Sequence, residues 1–91
     1  MAKSDTNYVT IEYCTMCMDL PAALKLADDV LKDYQWDLDG LMLRPGGKAV
    51  FEIYHNDEKV FSKLELDRYP TYDEIKTILT ERVGPPADIF D

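Results

Sequence analysis

An α/β fold, with a mixed four-stranded sheet and two helices in the order β-α-β-β-β-α, is what this sequence predicts, and three observations predict it. The chain opens on an alternating, β-branched run at 8–13 that leads into an amphipathic stretch from about residue 20. Its middle places two apolar segments on either side of the polar stretch His55-Asn56-Asp57-Glu58, the pattern of a hairpin. Its last third pairs the capping signature Thr71 and Glu74 with an apolar stripe and a Gly84-Pro85-Pro86 stop.

Residues 8–13 put Val9, Ile11 and Tyr13 on one face and Tyr8, Thr10 and Glu12 on the other, which predicts the first strand. Leu20, Leu24, Ala27, Leu31 and Tyr34 then recur at helical spacing, with Ala23 and Val30 widening the stripe. Asp19 is the expected N-cap, with Pro21 inside the first turn. Gly40 to Leu43 is the second strand, ended by the turn signal Arg44-Pro45-Gly46-Gly47. Residues 49–54 and 59–64 form the hairpin, and Ile75, Ile78, Leu79 and Val83 line the last helix. A strand, a helix and a second strand suit a parallel crossover, and the hairpin adds antiparallel strands, giving a two- or three-layer sandwich.

At 91 residues the chain is expected to be one domain, 1–91, with loose ends at 1–7 and 84–91. Its net charge of -8, from 18 acidic and 10 basic residues, opposes nucleic acid and anionic bilayers, which carry the same sign. No apolar run approaches the roughly 20 residues of a membrane span, and MAKSDTN lacks the apolar core of a signal peptide. The expected compartment is therefore the cytoplasm. Thiols are kept reduced there, so a cysteine pair points to catalysis or metal before a permanent bridge.

The two cysteines, Cys14 and Cys17, stand between the first strand and the first helix. That position brings thiols near unpaired backbone N–H groups and the positive end of a helix dipole, both of which favour the thiolate. The spacing lets one thiol resolve a mixed disulfide formed by the other. Two small buried hydrophobes and a metal clip are the competing readings. The metal reading lacks ligands, because a tetrahedral zinc site needs four and the chain adds a single histidine, His55, in a predicted turn. Thr15, Met16 and Met18 surround the second cysteine as a soft rim suited to a partner, with core packing of the methionines as the alternative. His55 is read as a solvated turn residue, Trp36 as a lid on the core, and Asp28 with Asp29 as a solvated helix face.

The run VTIEYCTMC, the helix ending near LKDYQW, the segment AVFEIYHNDEKVFSK and the helix after RYPTYDEI together resemble the selenoprotein W-like group, the Rdx family, over residues 8–83. The resemblance implies a thioredoxin-like frame and thiol-based redox work linked to glutathione as a co-substrate, with no bound cofactor. Cys14 matches the first cysteine of the family motif, and Cys17 matches the place of selenocysteine in the selenoproteins. That match makes Cys17 the thiol that reacts with peroxide or glutathione and Cys14 its resolver, whereas the order used in thioredoxins would have Cys14 attack. Thr15 and Met16 replace the Gly-Pro of thioredoxin, so no redox potential carries over. Gly46, Gly47 and Lys48 separate Pro45 from the hairpin strand, so it is not placed as the proline that faces the cysteines in thioredoxins. Protein thiols are the other expected partners, and a redox-sensitive binding module without turnover is the rival function.

Overall fold

Over residues 6–87, which the computed structural model describes, the order is β1 (Tyr8–Cys14), α1 (Leu20–Tyr34), β2 (Gly40–Gly46), β3 (Phe51–His55), β4 (Glu58–Ser62), α2 (Lys63–Leu66) and α3 (Tyr72–Arg82). Of the expected loose ends, 1–5 and 88–91 lie outside the described residues. Within them, the Asn7 N–H donates to Asp39 at 2.7 Å and the Ala87 N–H to Asp37 at 3.0 Å.

The sheet order is β2-β1-β3-β4. β1 runs parallel to β2 and antiparallel to β3, and β3 and β4 form the hairpin. Alternation then sorts the side chains. Val9, Ile11, Phe51 and Ile53 point to one face and are sealed beneath Ala23, Val30 and Tyr34 of α1 and Ile75 and Leu79 of α3, in a single core. Each such burial contributes about 1.5–3 kcal/mol for a large side chain. The opposite face carries Glu12, Arg44, Tyr54 and Lys59, with the Arg44 guanidinium 5.0 Å from the Tyr54 ring centroid. The fold is thus a two-layer sandwich.

Several elements differ from expectation for identifiable reasons. β2 runs on through Pro45 to Gly46, because it is an edge strand whose outer side needs no ladder N–H. β4 stops at Ser62, where the Ser62 hydroxyl accepts from the Glu65 N–H and starts a third helix, α2. The predicted α1 stripe is rotated. Ala23, Leu26, Ala27, Val30 and Tyr34 are buried, while Leu20, Leu24 and Leu31 stay largely exposed. The apolar arc of this helix is wider than the sheet can cover, and the small alanines let it approach.

Trp36 is 58% exposed and covers no core, since Tyr34 already fills that end of α1. His55 is also not a solvated turn residue. The hairpin turn is only Asn56-Asp57, with Asn56 at φ 56°, so His55 pairs with Glu58 as the last residue of β3 and is buried. Its Nδ1 lies 3.1 Å from Arg82, which can only donate, so the ring proton sits on Nε2 and faces Asn7 Oδ1 at 2.9 Å. Burial, then the Arg82 charge, hold its pKa below the ordinary histidine value. Asp28 and Asp29 are a surface face, paired with Lys32 and Lys25 one turn away.

Candidate functional site

Cys14 ends β1, in the middle of the sheet, and Cys17 is the third residue of the loop 15–19 that leads to α1. The two are joined as a disulfide with Cα atoms 5.3 Å apart. Their surroundings differ sharply. Cys14 is fully buried, and its Sγ accepts the N–H of Cys17 at 3.1 Å and the N–H of Ala49 at 3.2 Å. Cys17 is exposed. The pair therefore has one accessible sulfur and one that only the protein touches.

The loop between them is shaped by short-range bonds. The Met18 N–H reaches the Thr15 carbonyl at 3.4 Å, and Met18 takes a left-handed φ of 57° before Asp19. Thr15 Oγ1 donates to the Gly46 carbonyl at 3.3 Å, tying the loop to the end of β2. Met16 and Met18 are 72% and 85% exposed. All three residues expected to form a rim are thus exposed around Cys17, and neither methionine packs into the core.

Asp19 starts α1, but its carboxylate does not cap the helix. It is buried and accepts instead from the Tyr69 hydroxyl, at 2.9 and 3.1 Å to its two oxygens. That hydrogen bond, with burial behind it, pushes the Tyr69 phenol up from its ordinary pKa. The Tyr69 ring meets Phe51 edge-on at 5.3 Å, and the Lys63 ammonium lies 5.0 Å from its centroid. Lys63 Nζ also donates to the Ala49 carbonyl at 3.4 Å. A continuous shell runs from Asp19 through Tyr69 and Lys63 to Ala49 and back to Cys14.

Below that shell lies Glu52, buried on the sheet face opposite the core. Burial pushes its pKa up, but hydrogen bonds from Ser62, Lys59 and the N–H groups of Leu64 and Phe51 outweigh it and hold the carboxyl below its ordinary range. Glu52 also accepts from the Lys63 N–H at 2.9 Å, which fixes the start of α2 beside the site. Among the described residues, no three His, Cys, Asp or Glu side chains converge in a way that could hold a metal ion. No helix among them is long and apolar enough to cross a membrane.

Pro45 lies within β2, in register with Tyr13, and Ala49 occupies the loop facing the cysteines. Residue types alone did not mark Ala49, because it acts through its main chain. Lys63 and Tyr69 could have been suspected only from knowing that the chain turns into α2 after β4. What the site can do chemically is exchange disulfides: an outside thiol can reach Cys17, and the sulfur it would displace is already hydrogen-bonded.

Known proteins resemble this chain over most of its length. The model of the Rdx family matches residues 8–81. Migration and invasion enhancer 1 of Mus musculus is 33% identical over 84 residues, which is 89% of this chain and 70% of that protein. A crystallised protein from Bordetella parapertussis superposes with a TM-score of 0.80 at 26% identity, over 84% of this chain and 96% of that one. A selenoprotein W-related protein from Vibrio cholerae gives a TM-score of 0.82, over 86% of this chain and 98% of its own, and at 18% identity it speaks to the fold.

Proposed function

The chain belongs to the selenoprotein W-like Rdx family, and from that premise we propose that it is a thiol-disulfide redox protein whose Cys14 and Cys17 cycle between dithiol and disulfide. One observation carries the reading: a bonded pair in which Cys17 is exposed and Cys14 is sealed inside the sheet. Cys17 is the sulfur that meets substrate, and Cys14 resolves the resulting mixed disulfide. Glutathione, as redox co-substrate, and protein thiols are the partners, in a cytoplasm whose reducing poise returns the pair to the dithiol. The acidic surface favours neither nucleic acid nor membrane as a partner.

Trapping tests this directly. With Cys14→Ser, oxidised glutathione should leave a stable mixed disulfide on Cys17, seen as one added glutathione by intact mass; with Cys17→Ser, adduct formation should slow strongly. If neither cysteine alkylates faster than a free thiol near neutral pH, the redox assignment fails.

A second reading has its own support in the exposure of Met16 and Met18 beside Cys17. In it the protein docks on a partner according to its redox state and turns nothing over. Reduction of a small aromatic disulfide by the purified dithiol form, without any partner, distinguishes the two: turnover supports the oxidoreductase, and its absence together with redox-dependent pull-down of a partner supports the docking module.

A further inference from the structure

We propose that the main-chain N–H of Ala49, braced by Lys63, is a positioning donor that stabilises Cys14 as the leaving thiolate when the disulfide is attacked; this rests on the redox reading above. A disulfide sulfur is a weak acceptor, whereas a thiolate carries a full charge and takes charge-assisted hydrogen bonds. The N–H groups of Ala49 and Cys17, at 3.2 and 3.1 Å from Cys14 Sγ, therefore gain strength as the S–S bond opens. Without them a fully buried thiolate would be disfavoured, since burial penalises the charged form.

The loop is built to present this donor. Ala49 holds φ 64°, a left-handed conformation that a non-glycine residue enters only at a cost. Lys63 secures it from the other side, with Nζ 3.4 Å from the Ala49 carbonyl oxygen, while the Lys63 main chain is pinned by buried Glu52. Lys63 also brings a positive charge to the loop whose Ala49 N–H faces Cys14.

In the step itself, an incoming thiolate attacks exposed Cys17 Sγ. The bond from the incoming sulfur to Cys17 forms as the Cys14–Cys17 bond breaks, and the electron pair of that bond stays on Cys14 Sγ. The negative charge passes from the incoming sulfur to Cys14, and no proton moves. The disulfide has been reduced at Cys14, and the incoming thiol has been oxidised into the mixed disulfide.

The test is a full-length synthetic chain in which the Ala49 amide is replaced by an ester, which deletes the N–H and little else. In a Cys17→Ser background, the ultraviolet absorbance of the Cys14 thiolate is titrated. The ester should lower the thiolate-to-thiol ratio of Cys14 at a given pH about tenfold, the effect of one charge-assisted hydrogen bond. Lys63→Met should move the same titration in the same direction, with Lys63→Arg restoring it. A Cys14 titration identical in the ester and amide chains overturns the proposal. Should the ester chain not fold, equality between Lys63→Met and the parent overturns it instead. The titration needs no turnover, so a shifted titration in a protein that exchanges no disulfides would sink the redox reading and leave the donor role standing. Turnover with an unshifted titration would do the reverse.

Discussion

The hydroxyl of Tyr69 lies 2.9 and 3.1 Å from the two carboxylate oxygens of Asp19 and ties the segment before α3 to the residue that immediately precedes α1. A buried carboxylate is tolerated only with such a partner. Tyr69→Phe should therefore cost about 1–3 kcal/mol in urea unfolding at unchanged m-value. In a double-mutant cycle with Asp19→Asn the two losses should fall short of adding, and simple additivity would show that the contact carries no coupling.

Stability should fall in two stages as pH drops. Neutral His55, whose folded pKa lies below the ordinary 6.5, contributes stability that is complete above 6.5 and is lost as pH falls below it toward the folded value. Glu52 and Glu74 contribute stability complete above the ordinary 4.5 and lost as pH falls further. For Glu74 the window extends down to about 2, because the Arg68 guanidinium and the Thr71 N–H hold its carboxyl there. Urea midpoints measured across pH should show both stages, and His55→Gln should flatten the upper one while leaving the lower.

Two adjacent glycines should answer very differently to alanine. A Cβ at Gly46 would come within 2.7 Å of Glu12 Cγ and 2.8 Å of Val50 Cγ2, whereas one at Gly47 meets nothing within 4 Å. Gly46→Ala should cost about 1–3 kcal/mol through overpacking and disturb the loop that carries Ala49. Gly47→Ala should be neutral or stabilising by up to about 1 kcal/mol. Equal thermal midpoints for the two variants would contradict the close approach at Gly46.

Met16→Ser and Met18→Ser should leave stability within about 0.5 kcal/mol of the parent, since both side chains are exposed. If they form the contact rim, the double substitution should slow exchange with protein disulfides several-fold while exchange with glutathione, which is too small to span the rim, stays near the parental rate. Equal slowing of both would point to a change in Cys17 itself.

Much of this fold was legible because its signals are local. The alternation of Val9 and Ile11, the two apolar runs around Asn56-Asp57 and the Thr71–Glu74 capping box each specify an element without help from the rest of the chain; the capping box is formed as expected. The misreadings occur where tertiary context decides. Pro45 reads as a breaker until β2 is known to be an edge, Leu24 reads as core until the alanines of α1 are seen against the sheet, and Lys63 reads as strand until Glu52 is found capturing its N–H. The cysteine motif was visible from spacing. Its asymmetry was not, because which sulfur is buried depends on β1 lying between β2 and β3 and on the 47–50 loop, whose Ala49 N–H meets Cys14 Sγ.

Cys14 is the last residue of a strand bonded on both sides through most of its length, and it stands against Gly46 at the far end of that register. Opening or closing the S–S bond therefore has a stationary half and a movable half, and the movable half is four residues long. The exposed part of the pair is the segment 15–18, which carries Cys17. A macromolecule that distinguishes the oxidised form from the reduced one would read it there.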